Sequence, residues 1–190
     1  MMAAMVPPPT ASRSCTLMDM PSYFGILARY NAWANLRLYD AVARLPVVEF
    51  ERPRAAFFGS IRGVLNHMMV VDELFLARLN GTTAPDRPLN AQPWAHFNEL
   101  RNARAGLDQR ILGTITALPL SRFAEPFTYT TTRGDRFSDQ LALFLGHWFN
   151  HQTHHRGQAH DMLTQTEVAP PPLDFLIFQR IHGLSEAAAG

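Results

Sequence analysis

An all-α fold, a four-helix bundle with a short extended arm or hairpin before the last bundle helix, is predicted by three features of the chain. Four stretches of about 20 residues carry apolar side chains at helical spacing. Prolines and an Asn-Gly pair punctuate the gaps between them. Residues 120–137 break the pattern with β-prone side chains. Facing apolar stripes on such helices bury one another, which is how a bundle builds its core.

The first helix is expected from Pro21 to about Leu45, with Phe24, Leu27, Ala28, Ala34, Leu38, Ala41, Val42 and Leu45 along one stripe. Proline suits a first turn, and Pro46 stops the run. The second begins at Ser60, a good N-cap residue, and runs through Val64, Met68, Val71, Leu74, Phe75 and Leu79 to Asn80-Gly81. Residues 82–93, with Pro85, Pro88 and Pro93, form a connection. The third helix is expected from Trp94 to Ala117, before Pro119. Phe127, Tyr129 and Thr130 to Thr132, followed by Arg133-Gly134-Asp135, read as an extended arm or hairpin with a turn. Ser138 is the expected cap of the fourth helix, from Asp139 to about Gln165, which Pro170, Pro171 and Pro172 terminate. The apolar patch Leu173 to Ile181 is expected to pack across the outside of the body.

With 190 residues, 47% of them apolar, the length suits one domain. Residues 1–19 are expected to be a disordered leader, 20–182 the domain, and 183–190 a flexible tail. The formal charge of +1 and the lack of a basic stripe predict no nucleic-acid partner. All 17 basic residues are arginine, which excludes Schiff-base, P-loop and general-base lysine chemistry. Cys15, the single cysteine, excludes an internal disulfide and a cysteine-rich zinc site. The leader lacks a signal-peptide core, and no apolar window approaches the length of a membrane span; no membrane partner is expected and the cytoplasm is the default location.

Histidine is then the remaining soft ligand. Five of the eight, His147, His151, His154, His155 and His160, fall within fourteen residues. At about 100° per residue, His147 and His155 lie about 40° to either side of His151, with His154 and Gln158 on the same face. Phe144, Trp148 and Met162 share that face, which a bundle turns inward. His160 points elsewhere and is expected at the surface. An i, i+4 histidine pair can bring two ring nitrogens to one divalent ion, as in HExxH helices. The HExxH reading itself fails, since Gln152 follows His151. Spacing leaves open whether His147 with His151 or His151 with His155 is the pair. His67 on the second helix, in a stripe with Ser60, Val64, Val71 and Leu74, is the candidate third ligand. A lone histidine there would more often be a hydrogen-bonded core residue. Four on one face of one helix favour a metal, because several buried rings would otherwise lack partners.

The segment Asn150-His151-Gln152-Thr153-His154-His155-Arg156-Gly157-Gln158 resembles the C-terminal signature of the DinB/YfiT-like superfamily of bacterial four-helix proteins. Tyr30-Asn31-Ala32-Trp33-Ala34-Asn35 resembles its opening motif, and Leu65-Asn66-His67 with Asp72 and Leu79 its second-helix motif. The resemblance spans roughly Ser22 to Leu163. It implies a divalent metal, commonly nickel or zinc, held by His67, His151 and His155. His154 is then the ring beside a ligand and His147 lines or supports the site. It also implies a homodimer, and a small-molecule substrate such as a low-molecular-weight thiol.

Three neutral imidazoles leave a divalent ion its full charge and an open position, so both hydrolysis and thiol transfer are accessible. The two readings from the sequence are therefore a metal-dependent thiol transferase or hydrolase, and a non-catalytic protein in which the ion is structural. No general base stands out: Asp72 and Glu73 lie about 140° and 120° around the helix from His67. Gln158 is placed to hydrogen-bond a ligand. Tyr30 and Asn31 are candidate site-lining groups, although such residues at helical spacing more often pack.

Overall fold

The computed structural model describes residues 17–185. The expectations for residues 1–16 and 186–190 fall outside the described residues. Helix α1 spans Met20–Val42, α2 Val47–Glu51, α3 Ile61–Asn80, α4 Phe97–Thr116, α5 Leu141–Leu163 and α6 Phe175–Ile181. A 3-10 turn covers Leu120–Ala124, and strands β1, Pro126–Thr130, and β2, Arg136–Gln140, form an antiparallel hairpin. The protein is thus mostly helical, with one small hairpin ahead of α5.

Asp19 caps α1, its carboxylate accepting from the Ser22 N–H at 2.8 Å, and Pro21 occupies the first turn. The helix ends at Val42, three residues short of the expected Leu45. Pro46 does more than stop it, because it is the N-cap of α2, an element not expected from the sequence, which buries Phe50. Ser60 caps α3 as expected, accepting from Gly63 N–H at 3.0 Å. Gly81 closes α3 in the left-handed conformation, φ 64°, which glycine adopts at no steric cost.

Two expected starts are corrected. Trp94 stays outside α4 because the Asn66 amide holds its backbone from both sides: the Trp94 N–H donates to Oδ1 and Nδ2 donates to the Trp94 carbonyl, each at 3.1 Å. The helix begins at Phe97 instead. Ser138 is no helix cap, since hairpin pairing continues past it: it faces Thr128 in register and the strand reaches Gln140 before α5 starts. Tertiary pairing overrides the local capping signal there.

Each of the four long helices packs against two others, in the cyclic order α1, α4, α3, α5. Leu38, Ile61, Leu65, Met68, Leu107, Ile111, Leu145 and Trp148 lie at the centre, fully buried. α6 covers α1 through Phe178, which packs on Tyr30 and Trp33 with ring centroids 5.7 Å away in both cases. The expected outer packing of the last apolar patch is therefore present. Its approach is pinned at backbone carbonyls: Tyr30 Oη donates to Leu173 at 2.7 Å and Arg37 Nε to Pro172 at 3.2 Å. His160, expected as a surface bystander, is half-buried and donates to the Pro171 carbonyl at 2.9 Å.

A ring of polar side chains, closed through the backbone of α5, also runs through the core. Asp72 of α3 accepts from Arg104 of α4 at 2.7 Å, and Arg104 pairs with Asp108 at 2.8 Å. Asn35 of α1 donates to Asp108 at 3.0 Å, while Arg156 of α5 donates to Asn31 Oδ1 at 2.7 Å and Asn35 Oδ1 at 3.0 Å. Trp148 Nε1 and Gln152 Nε2, both on α5, return to Asp72, the tryptophan at 2.6 Å. Every long helix contributes, so each charge removed from water keeps a partner on another helix.

Candidate metal centre

α3 presents His67 inward and α5 presents His151 and His155 one turn apart. One nitrogen from each of the three lies within 4.8 Å of the others. His67 Nε2 and His151 Nε2 face each other at 3.2 Å. Two such nitrogens can share at most one proton or a common cation. Bond lengths of about 2.0–2.1 Å in a tetrahedral site put ligand nitrogens roughly 3.3 Å apart, so the spacing suits an ion.

The far side of each ring is fixed by its neighbours. A carbonyl can only accept, so His67 Nδ1 carries the proton it donates to Leu89 O at 2.8 Å, which leaves Nε2 with its lone pair. His155 Nδ1 donates likewise to Gln158 Oε1 at 2.8 Å, and the Gln158 NH2 group donates onward to His154 Nε2 at 3.2 Å. These outer hydrogen bonds set the tautomer in which the inner nitrogens are ligands. His151 Nδ1 is buried without a partner.

Burial lowers all three histidines. His151 is pushed down to about 3 by burial and then by its neighbours, His155 first. His155 goes to about 4, burial again outweighing the hydrogen bond to Gln158. Burial also depresses His67. The rings are therefore neutral at physiological pH, the form that binds metal. Three neutral imidazole donors at this spacing fit a divalent ion.

Phe58 walls one side, stacked on His67 at 4.0 Å between centroids and edge-on to His155 at 5.3 Å. Its loop lies so close to α3 that a Cβ on Gly63 would sit 2.1 Å from the Phe58 carbonyl oxygen. On the other side a cavity of about 580 Å³ opens, reached by His67 and His151 and roofed by the hairpin. Phe127 and Tyr129 hold that roof against Phe144 of α5, with centroids 4.5 and 5.3 Å away.

The structure brings together His67, His151 and His155, with Gln158 and His154 behind them. His147 is exposed and lines the cavity, its ring 6.2 Å from His151. Tyr30 and Asn31 are not brought to the cluster. Tyr30 binds Leu173 and packs under α6, and Asn31 belongs to the polar ring, so both take the packing alternative. Sequence reasoning missed Phe58, the Leu89 carbonyl, and Arg78 on the cavity wall. A carbonyl has no sequence signature, whereas Arg78 sits on the α3 stripe eleven residues after His67.

The fold and site define a helical protein with a trio of histidines, two buried and one half-buried, able to hold a metal ion. The DinB family model matches residues 18–186, and the chain belongs to that family. Protein DinB of Bacillus subtilis (strain 168) is 25% identical to it over 158 residues, which covers 80% of this chain and 91% of that protein. Among the described residues no helix is long and apolar enough to cross a membrane.

Proposed function

We propose that the protein is a divalent-metal-dependent enzyme, a thiol transferase or a hydrolase, with His67, His151 and His155 holding nickel or zinc. The observation that carries this reading is the convergence of three neutral ring nitrogens, with His67 and His151 reaching an open cavity. The cyclic packing of the long helices supports the four-helix bundle of the DinB type. Bound there, the ion would supply Lewis acidity to a thiol or a water. The chain's own contribution is positional: Leu89 and Gln158 orient two rings, Phe58 packs against His67 and His155, and the cavity admits a small molecule from the other side.

The alternative, a purely structural ion, is weakened by the polar ring, which already ties all four long helices together without it. A homodimer acting on a small molecule completes the proposal.

Elemental analysis of tag-free protein, followed by thiol-dependent and esterase screening of metal-loaded and chelated samples, tests the reading. About one divalent ion per chain is expected in the wild type, lost in His155→Ala, with activity following the metal. Full metal affinity in His155→Ala would remove that residue from the ligand set. A metal that raises the melting temperature while no thiol acceptor or ester turns over would favour the structural ion.

A further inference from the structure

The cavity beside the histidines holds a cation that has no direct ion-pair partner among the described residues. Arg78 stands in the last turn of α3 with its guanidinium between two aromatic rings, 5.7 Å from the centroid of Phe75 and 5.2 Å from that of Tyr129. Its Nε is buried and unpartnered, and among the described residues the guanidinium makes neither an ion pair nor a hydrogen bond. Burial lowers its affinity for the proton, outweighing Tyr129. The nearby acid on the wall, Asp139, is occupied by Tyr129, whose hydroxyl donates to it at 2.8 Å.

Arg78 shares this cavity with His67 and His151. Helical side chains lean toward the N-terminus, and this one reaches back over Phe75, whose ring is 6.0 Å from His151. The guanidinium and the His151 ring are therefore no further apart than those two distances together, under about 12 Å. Val71, Leu74, Phe75 and Leu143 line the cavity between them, so its middle is apolar.

We infer that Arg78 is the anion-binding end of the substrate site, and that the substrate is a small monocarboxylic acid with an apolar middle and its reacting group at the histidines. A planar carboxylate matches the guanidinium fork. The Asp139 carboxylate on the same wall disfavours a doubly charged phosphate. This inference rests on the proposed metal-dependent activity for the reacting end alone; the anion end stands on Arg78. The competing role for Arg78 is packing on the two rings at a helix C-terminus, where a cation is favoured in any case.

The test uses the full-length chain loaded with cobalt(II), titrated with ω-mercaptoalkanoates and with ω-mercaptoalkanols of matched length, and followed by the thiolate-to-cobalt absorption band. The acid of best length should bind about tenfold or more tighter than its alcohol. Arg78→Gln should erase that preference while leaving the affinity for the alcohol unchanged, and Arg78→Lys should restore part of it. A preference that survives Arg78→Gln, or equal weakening of acid and alcohol, would overturn the inference. Equal competition by an alkyl phosphate would overturn the choice of carboxylate. If cobalt does not bind, the metal reading fails by itself, and hexanoate titrated into ¹⁵N-labelled metal-free protein decides the rest. A saturable shift of the Arg78 Nε–H resonance supports the anion end, and its absence refutes it.

Discussion

Helix α5 carries two i, i+4 pairs offset by a single residue, His151 with His155 and Gln152 with Arg156. One step along a helix turns a side chain by about 100°, so the pairs face different neighbours. The first pair meets His67 and the open cavity; the second enters the core and closes the polar ring through Asp72 and Asn31. In the ring every residue is hydrogen-bonded or ion-paired to another helix, although Arg104 Nε and Gln152 Oε1 have no partner of their own. In the histidine cluster His67 Nε2 and His151 Nε2 face each other at 3.2 Å, close enough to share one proton, and the His151 Nδ1 atom has no partner. A polar network that spans four helices specifies their arrangement, whereas facing donor nitrogens beside an open cavity are where an added ligand gains most.

The largest test of this division is Asp72→Ala. It strips Arg104, Trp148 and Gln152 of their common acceptor in a fully buried place. Breaking the buried Asp72–Arg104 pair, although Arg104 keeps Asp108, costs about 3–5 kcal/mol, to be read from urea unfolding of the metal-free protein. His151→Ala should do the reverse, costing little stability without metal while removing metal binding in a chelator competition. If the two variants behaved alike, site and ring would be one unit. Gln152→Glu comes next in size. It writes HExxH into the sequence but sets a carboxylate against Asp72, with one oxygen where Gln152 Oε1 already lacks a donor. A loss of about 1–3 kcal/mol is expected at neutral pH, shrinking on acidification as the two carboxyls share a proton. Peptidase activity in this variant would mean that position 152 can turn into the cavity.

Much of this layout is legible in the sequence, and the exceptions have a common cause. Apolar stripes and the Ser60 and Gly81 signals locate α3 to within a residue, and the i, i+4 spacing puts His151 and His155 on one face. Spacing alone does not choose between His147 and His155; the family resemblance does. The polar ring is hidden because Asn31, Asn35, Arg104, Asp108 and Arg156 look like surface residues until four helices are set side by side. The start of α4 and the true neighbours of Tyr30 are hidden for the same reason: Asn66 and α6 act across long stretches of chain. Residue type and period report which face a side chain shares, while its partners depend on tertiary packing.

Acid titration of the metal-free protein probes the histidine half of the comparison on its own. His151 and His155 titrate near 3 and 4 when folded, below the ordinary 6.5 of an unfolded histidine. Between those values the unfolded chain binds protons that the folded rings refuse. Stability should therefore be insensitive to these rings above pH 6.5 and fall as the pH drops from there toward 3. The double variant His151→Ala/His155→Ala should flatten that part of the profile. Saturating nickel or zinc should shift the loss to lower pH, since protons then compete with the ion. An unchanged acid limb in the double variant would assign it to groups outside the cluster.

The smallest effect is expected where the two halves are closest in chemistry. Gln158, like Gln152, is a glutamine amide that hydrogen-bonds two neighbours, but they are His155 and His154 and it is only half-buried. Gln158→Leu should change unfolding free energy by less than about 0.5 kcal/mol, because no buried charge loses a partner. Metal affinity should nonetheless fall about tenfold or more, since His155 Nδ1 loses the acceptor that fixes its tautomer. Gln158→Glu should recover the affinity, a carboxylate being at least as good an acceptor for Nδ1–H. Competition with a chromophoric chelator reads both variants. Should Gln158→Leu bind metal as tightly as the wild type, packing against Phe58, 5.3 Å from the His155 ring centroid, is what orients the ligand.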